Sequence, residues 1–583
     1  SYMENKNTGS WKNNLCFMAD DGSNTDGFMT EHMEFADQLA GYVESEHPEF
    51  LVNKLYYDAY KKDMTAGTYP DVRSGLQKLL KDGLLLFNYT GHGGTTALSD
   101  EKVLTQTDIN QFTYTHLPVW VTATCDFTRF DDLNTSAGED VFLNKSSGGI
   151  ALFTTVRVAY SRPNFPINDN VIRNLFERNN GRRRTLGEVM QATKNTLSSV
   201  YKLGFCLIGD PAVKMAYPEF GMKVTTVNGQ SVDGNSISFK ALEKITVEGE
   251  VLDASGQLVT DFTGIVNPTV KDSKVTVTCL KNSNKDDSPA FTFTDYPNTI
   301  FIGNDSVRNG KFSFTFTVPK DISYSNLQGK MNLYAVDTES GNEAQGNFDN
   351  FIVGGTSDTA ETDTIGPEIR ALYLNDTTFV DGGQVNTTPY FVAELWDKSG
   401  VNITGSSVGH DMMLVIDEST VLSYNLNSYY ELLLGEDGTG IVKFPIPALE
   451  PGKHTAEFWV WDILNNSTVR TFTFEVVEGL KPFLFDVIAT PGIAREQVTF
   501  HLMHNRPESR MRVGIMVYDL AGRQLWKHEE SGTSGLFENY TVSWDLTSGG
   551  ARMRPGVYIY RAAISTDNSK DATKARKFII LGE

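Results

Sequence analysis

Two stretches of similar pattern are the most informative about the fold: Leu-Leu-Leu-Phe-Asn-Tyr-Thr-Gly-His-Gly-Gly (residues 84–94) and Leu-Pro-Val-Trp-Val-Thr-Ala-Thr-Cys-Asp (residues 117–126). The apolar runs Leu84–Phe87 and Leu117–Val121 are predicted to be buried strands, and each leads into a loop with one reactive side chain, His92 or Cys125. In an open α/β sheet, chemistry gathers at the carboxyl ends of parallel strands. The two loops therefore predict a thiol–imidazole pair suited to acyl transfer.

Residues 1–217 alternate apolar runs with helical patterns, which predicts a mostly parallel α/β sheet. The predicted strands are Leu15–Ala19, Leu84–Phe87, Leu117–Val121, Gly149–Thr154 and Phe205–Ile208, and the predicted helices cover residues 33–43, 70–81 and 185–197.

From Pro218 onward the pattern changes to period-two alternation with Gly and Asn turns, which is typical of β-sandwiches. A linker rich in Gly, Ser, Thr and Asp runs from Gly354 to Gly366, and Val477–Lys481 marks a further boundary. We predict an α/β domain (1–217), Ig-like β-sandwiches at 218–357 and 358–480, and a last β domain at 481–583. The length of 583 residues agrees with about four domains of ~150 residues each.

The bulk composition excludes several function classes. The formal charge of −22 disfavours nucleic acid and anionic lipid as partners, because both are bound mainly through Lys and Arg. Four cysteines without C-x-x-C spacing argue against a zinc site and a dense disulfide framework. No apolar run approaches the roughly 20 residues that a membrane-spanning helix needs, and no signal peptide is evident at Ser1.

The proposed chemistry assigns a role to each loop. A thiol attacks a carbonyl only as thiolate, so Cys125 needs a base, and His92 can accept its proton and later protonate the leaving amine. The backbone N–H groups of Gly93 and Cys125 are candidates for an oxyanion hole. A carboxylate should orient the imidazole. Asp21, after the first strand, is the best placed, with Asp20 as its rival.

The arrangement resembles the gingipain-like cysteine peptidases of the caspase–haemoglobinase clan. The segment Asn88–Gly93 is similar to the His motif of that family, and Gly209-Asp210-Pro211 is similar to the end of its catalytic domain. The resemblance implies a caspase-like fold with Cys125 as nucleophile and His92 as general acid/base. Asp21 falls where the family's orienting acid would lie. The family also has a further α/β subdomain upstream of the stretch resembling residues 15–22.

One departure from that family bears on specificity. Family members that cleave after Arg or Lys carry an acidic residue three positions before a helical His. If His32 is that His, the matching residue is Met29, which cannot pair with a cation. We therefore expect a specificity pocket at Met29 that does not select basic residues, with Asp26 or Glu31 as alternatives in another register. Three residues after Val156 are candidates for lining the cleft, or for a solvated loop: Arg157, Tyr160 and Arg162.

The C-terminal region adds a second resemblance. Val517–Arg523, Gly556–Tyr560 and Lys577–Leu581 resemble the C-terminal signal domain of the Bacteroidetes type IX secretion system. With the gingipain-like unit, they resemble a family of cell-surface, sortase-like peptidases that remove such signals. The resemblance implies cargo proteins as substrates and a lipopolysaccharide-type amine as acceptor. It further implies a PorV-like outer-membrane β-barrel carrier and a location on the outer face of the outer membrane.

Other acidic and histidine residues receive structural interpretations. His410-Asp411 has no nucleophile beside it, and His501 and His504 lie three apart in a strand-like run, on opposite faces. We predict no metal at the catalytic loops and no required cofactor. Asp397 and Asp462 are candidates for a structural calcium site.

Two other functions remain open at this point. The chain could be a surface adhesin or scaffold without enzymatic activity, in which the β-sandwiches bind. It could also be an ordinary secreted protease that carries a removable signal of its own.

Overall fold

The computed structural model describes residues 2, 6–22, 30–144, 147–282, 289–357, 363–405, 409–433, 439–566 and 569–581. The chain divides into two compact units, Ser1–Ala360 and Glu361–Glu583. The four-part division from the sequence stays a prediction.

The α/β part of the first unit contains eleven strands and six α-helices among its described residues. Its strands are β1 (Asn14–Ala19), β2 (Leu51–Tyr56), β3 (Leu86–Thr90), β4 (Gly93–Gly94), β5 (Ala97–Leu98), β6 (Leu104–Thr105), β7 (Val119–Ala123), β8 (Ala151–Thr155), β9 (Arg178–Asn179), β10 (Arg182–Arg183) and β11 (Phe205–Ile208). Its helices are α1 (Glu31–Glu46), α2 (Pro70–Asp82), α3 (Gln106–Gln111), α4 (Ala137–Leu143), α5 (Ser161–Phe176) and α6 (Leu186–Thr196), with 3-10 turns at Ser10–Asn13, Tyr57–Ala59 and Val200–Gly204.

The main sheet of this part has the strand order β11-β8-β7-β3-β1-β2. All neighbours pair in parallel except β11, which runs antiparallel to β8. This confirms the prediction of a mostly parallel sheet. The strand predicted at Leu84–Phe87 instead begins at Leu86 and continues to Thr90. It extends into polar residues because Asn88 is fully buried and bonds Asn168 of α5 at 2.8 Å.

Helices cover both faces of the sheet, as a parallel sheet requires. One core joins the sheet to buried residues of α1, α5 and α6. The second core joins the opposite face to α2, α3 and α4. The carboxyl edge of the strands therefore remains the place where loops reach solvent.

Helix α5 replaces most of the loop predicted after Val156. The helix begins at Ser161, so Arg162 is helical and only Arg157 and Tyr160 precede it. The sequence obscures this helix because it contains Pro163 and Pro166. A proline is tolerated in the first turn, but Pro166 lies inside the helix and lacks the N–H that would continue the hydrogen-bond ladder.

The first unit continues with a β region. Its strands are β12 (Phe220–Val227), β13 (Gln230–Ser231), β14 (Ile237–Ala241), β15 (Lys244–Leu252), β16 (Gly264–Lys271), β17 (Val275–Thr278), β18 (Thr292–Asp295), β19 (Thr299–Ile302), β20 (Asp305–Arg308), β21 (Lys311–Thr317), β22 (Leu327–Gln328), β23 (Lys330–Asp337), β24 (Glu343–Phe348) and β25 (Phe351–Thr356). They form a nine-stranded sheet, the three-stranded sheet β14-β25-β22 and the hairpin β17–β18.

This β region packs on the α/β part through buried polar and apolar contacts. Lys12 forms a buried ion pair with Glu343. Lys330 donates from Nζ to the carbonyl of Phe50 at 2.8 Å, just after α1. The hairpin β17–β18 inserts Phe293 into a small core with residues of β1, α1 and β2. The α/β part is therefore held from one side by residues that lie more than 200 positions later in the chain.

The second unit is all β in its described residues. Its strands are β26 (Glu368–Leu374), β27 (Gly383–Val385), β28 (Tyr390–Trp396), β29 (Met413–Ile416), β30 (Ser423–Asn425), β31 (Tyr430–Leu432), β32 (Thr439–Pro445), β33 (Gly452–Trp461), β34 (Ser467–Val476), β35 (Leu484–Thr490), β36 (Ile493–Ala494), β37 (Val498–His504), β38 (Met511–Tyr518), β39 (Gln524–Gly532), β40 (Tyr540–Trp544), β41 (Thr547–Ser548), β42 (Ala551–Arg552), β43 (Gly556–Ser565) and β44 (Ala572–Ile580), with a 3-10 turn at Asn427–Tyr429.

These strands build two sandwiches, each with its own core. Sheets β26-β28-β32-β31 and β27-β34-β33-β29-β30 enclose the first core, and sheets β35-β37-β40 and β36-β44-β43-β38-β39 enclose the second. Among the described residues, the helices are too short or too polar to span a bilayer.

Candidate active site

The two predicted reactive side chains lie at neighbouring strand ends. Strands β3 and β7 pair in parallel with Thr90 opposite Ala123, and His92 and Cys125 each follow two residues later. The Gly91 N–H donates to the Ala123 carbonyl at 3.4 Å, which ties the two loops together. Because paired strands lie about 4.8 Å apart, the two loops start from adjacent backbone positions. The structure therefore places both residues at the same edge of the sheet, and their catalytic pairing stays a prediction.

The glycines around His92 permit this close approach. A Cβ on Gly91 would lie 2.5 Å from the Tyr89 hydroxyl and 2.7 Å from the Asp20 carboxylate, and one on Gly93 would lie 2.3 Å from Thr124 Oγ1. Only residues without a side chain fit at both positions.

The Asp20 carboxylate, at the end of β1, anchors the His92 loop. Its Oδ2 accepts the His92 backbone N–H at 2.6 Å, and its Oδ1 lies 2.5 Å from His32 Nδ1. Burial alone would raise the pKa of Asp20, but His32, and to a lesser degree His92, bring that pKa below its ordinary value. The His32 and His92 rings meet edge to face with centroids 5.0 Å apart.

Asp21, the preferred orienting acid from the sequence, has other partners. Its Oδ2 accepts the Tyr69 hydroxyl at 2.6 Å and lies 3.3 Å from Lys62 Nζ. Lys62 also pairs with Glu101 at 3.0 Å. Burial, followed by the charge of Asp21, raises the pKa of Glu101 to about 7. The rival candidate Asp20 is the residue whose carboxylate accepts the His92 backbone N–H.

The Cys125 side chain is half-buried and hydrogen-bonded to a neighbouring loop. Its thiol donates to the Ala159 carbonyl at 3.0 Å. Burial raises the pKa of the thiol. A hydrogen bond from the Ala159 backbone lowers this pKa in part, and the charge of the Asp126 carboxylate raises it further. Asp126 itself adopts a positive φ of 49°. In this arrangement the thiol is protonated at neutral pH, so a base must activate it.

The remaining predicted site residues have varied outcomes. Gly93 lies in β4, opposite Leu98 of β5, and its N–H and that of Cys125 stay predicted oxyanion donors. Met29 and Asp26 lie outside the described residues. Glu31 instead pairs with Arg162 at 2.9 Å.

Two residues of the short segment before α5 are exposed or paired. Arg157 pairs with Asp131 at 2.6 Å, and Tyr160 is largely exposed beside Tyr201, with ring centroids 6.1 Å apart.

His32 contacts the Asp20 carboxylate of the candidate site, and the sequence alone did not predict this contact. Its signal is topological: in a β-strand–helix unit, the helix begins at the carboxyl edge of the preceding strand, where the site lies. Residues in the first turn of α1 are therefore candidates for the site.

Two groups of three side chains in the described part of the chain have metal-binding geometry. They are Asp20, His32 and His92 in the first unit, and Asp363, Asp397 and Asp462 in the second, with all ligand atoms of a group within 4.8 Å of one another. The second group adds Asp363 to the two predicted calcium ligands. Burial, followed by charge repulsion within the group, raises the pKa of Asp397 to about 6. A calcium ion there stays a prediction.

The other histidines have structural contacts. The His410 ring packs on Trp461, with centroids 4.5 Å apart. His504 bonds Ser534 at 2.8 Å, and burial lowers its pKa to about 4. His501 and His504 both lie in β37.

The comparisons with known proteins agree with a peptidase at this site. Residues 1–216 match the model of peptidase family C25, a family of cysteine peptidases. No curated protein matches the chain. The match supports a gingipain-like cysteine peptidase in the α/β part.

Among solved structures, the chain is similar to dimeric latent PorU from Porphyromonas gingivalis, with 26% identity over 98% of this chain and a TM-score of 0.32. It is similar to the Arg-specific cysteine proteinase gingipain R (RGPB), with 16% identity over 60% of this chain and 68% of that chain, TM-score 0.31. It is also similar to the RgpB pro- and mature-domain complex from Porphyromonas gingivalis, with 19% identity over 60% of this chain and 70% of that chain, TM-score 0.30. The chain spans 64% of the PorU chain.

Proposed function

We propose that the chain is a cysteine peptidase of the cell surface that cleaves C-terminal signal domains from secreted cargo and can pass the acyl group to a glycolipid amine. The observation that carries the peptidase part is the position of His92 and Cys125 two residues beyond paired positions of neighbouring parallel strands. The match of residues 1–216 to peptidase family C25 supports the same chemistry.

The reaction begins with transfer of the Cys125 proton to the His92 imidazole. The thiolate attacks the carbonyl carbon of the scissile peptide bond, and the backbone N–H groups of Gly93 and Cys125 stabilise the oxyanion. As the C–N bond breaks, His92 returns the proton to the departing amine of the signal domain. The acyl group of the cargo then remains on Cys125 as a thioester.

Release of the acyl group requires a second nucleophile. Water gives hydrolysis, and an amine gives a new amide bond to the cargo, with His92 accepting the proton in either case. We assign the positioning role to Asp20 rather than Asp21, because Asp20 Oδ2 accepts the His92 backbone N–H at 2.6 Å.

The proposed substrate rests on the resemblance of the segments around 517–523, 556–560 and 577–581 to type IX signal domains. These segments fall in β38, β43 and β44 and their adjoining turns. The proposed cell-surface location, the lipopolysaccharide-type acceptor and the PorV-like carrier rest on the same resemblance.

The test is cleavage of a cargo protein that carries a C-terminal signal domain, with and without a primary amine. We expect release of the signal domain, and an added mass on the cargo when the amine is present. Cys125→Ala and His92→Ala should abolish both products, whereas Cys206→Ala, in β11, should retain them. Cargo binding without cleavage would favour the adhesin alternative, and cleavage without amine incorporation at any concentration would favour an ordinary protease.

A further inference from the structure

Three side chains from separate segments meet at the His92 loop, which is bonded to the end of the strand that leads to Cys125. Asp20 follows β1, His32 lies in the first turn of α1, and His92 follows β3. One ligand atom of each lies within 4.8 Å of those of the other two. Asp20 is 1% exposed and His32 is 8% exposed, while His92 is half-buried. The group is therefore enclosed on one side and open to solvent at His92.

Two imidazoles and one carboxylate form a donor set that suits Zn²⁺. Such a site takes three protein ligands at about 2.0–2.2 Å and leaves one position for water. Ligand atoms on a tetrahedral ion at that distance lie about 3.3–3.6 Å apart. Small side-chain rotations bring atoms that already lie within 4.8 Å to this spacing.

The scaffold holds two of the three ligands in place. Asp20 is fixed through its Oδ2, which accepts the His92 backbone N–H at 2.6 Å. Helix α1 is fixed next to His32, because Met33 packs in the core that the hairpin residue Phe293 enters. A preorganised set of this kind loses little freedom when it binds an ion.

We propose that Asp20, His32 and His92 form a binding site for a divalent transition-metal ion of the Zn²⁺ class, and that its occupation stops the thiol chemistry. The ion takes the place of the proton between His32 and Asp20 and binds the lone pair of His92. The second half of the proposal rests on the proposed function, because a metal-bound His92 cannot accept the proton of Cys125.

The binding test uses the full chain with Cys125→Ala, so that the thiol cannot bind metal, and calorimetric titration with zinc chloride. We expect one molar equivalent to bind at this group and His32→Ala to weaken that binding by at least about 100-fold, since even loss of an outer-shell partner costs about 10–100-fold. His501→Ala, in the second unit, is the matched control and should leave the titration unchanged. His32→Asn, which retains a side-chain donor toward Asp20, should lose the ion while keeping the thermal unfolding midpoint.

The contradicting outcomes are separate for each half. The proposed metal site is wrong if zinc does not bind, or if zinc still binds after both His32 substitutions. The three side chains would then form only a hydrogen-bonded network that positions the His92 loop. Binding that requires Cys125 overturns it in favour of a thiol–imidazole site. If Cys125 of the wild-type chain reacts equally fast with an electrophile with and without zinc, the inhibitory role is wrong while the site stands. If Cys125 is inert under both conditions, the proposed function fails and the calorimetric result still decides the site.

Discussion

Replacement of Asp20 by Asn tests whether this carboxylate positions the catalytic loop. The carboxylate is 1% exposed, accepts the His92 N–H at 2.6 Å and lies 2.5 Å from His32 Nδ1. Hydrogen bonds that involve a charged group contribute about 1.5–3 kcal/mol each. An amide keeps the shape and one acceptor, so we expect Asp20→Asn to lower the free energy of unfolding of the first unit by about 2–3 kcal/mol.

The same substitution should reduce turnover. Loss of the orienting carboxylate of a serine-protease triad costs about 10⁴ in kcat. Asp20 accepts a hydrogen bond from the backbone N–H of His92, so we expect a smaller loss, of about 10²–10³, in kcat with little change in KM. Asp21→Asn is the matched control, because Asp21 contacts Tyr69 and Lys62, and it should lower kcat by less than about tenfold.

The pH dependence of stability provides a second readout. The pKa of Asp20 is below its ordinary value in the folded chain, so its stabilisation is complete above the unfolded pKa of about 3.9 and is lost as the pH falls through the folded pKa. The difference in unfolding free energy between wild type and Asp20→Asn, measured in urea, should therefore shrink as the pH is lowered below about 5. Equal kcat losses for Asp20→Asn and Asp21→Asn would contradict a specific positioning role for Asp20.

Three further predictions follow from other contacts. Burial raises the pKa of the Cys125 thiol above its ordinary value of about 8.5. In His92→Ala, the rate at which iodoacetamide alkylates Cys125 should therefore still increase above about pH 8.5. A rate that is already constant below about pH 8 would contradict this. Phe293→Ala removes an aromatic ring from the core beneath α1 and should lower the free energy of unfolding of the first unit by about 3–5 kcal/mol in urea. As a control, Phe537 is exposed, so Phe537→Ala should change the free energy of unfolding by less than about 0.5 kcal/mol. Calcium at about 100 times its Kd should stabilise the second unit by about 2.7 kcal/mol in differential scanning calorimetry. Asp462→Asn should remove this stabilisation. The stabilisation should also fade below about pH 6, because Asp397 becomes protonated there.

The neighbouring positions of His92 and Cys125 could be predicted because strand burial and parallel pairing are encoded locally. Each apolar run contains enough Leu, Val and Trp to form a central strand, and a reactive side chain beyond it must lie at the carboxyl edge. The sequence favoured Asp21 over Asp20, but it held no sound basis for that preference. Successive residues at a strand end point in opposite directions, and the sequence does not fix how the chain turns there.

Other features depended on contacts distant in sequence. The pair Lys12 and Glu343 lies 331 residues apart, and no local pattern reveals it. The insertion of Phe293 beneath α1 likewise joins two predicted domains in a single core. Helix α5 was missed for the opposite reason, since the local signal of Pro163 and Pro166 disfavours a helix and tertiary packing overrides it.

In the proposed reaction, Cys125 forms an acyl-enzyme with the help of His92. The most direct measurement is intact mass spectrometry, with peptide mapping, of the acid-quenched chain after reaction with a cargo protein that carries a C-terminal signal domain. We expect an added mass equal to the cargo without its signal domain, located on Cys125 and missing in His92→Ala at neutral pH. An adduct on Cys16 or Cys206, or cargo cleavage that persists in Cys125→Ala, would contradict it.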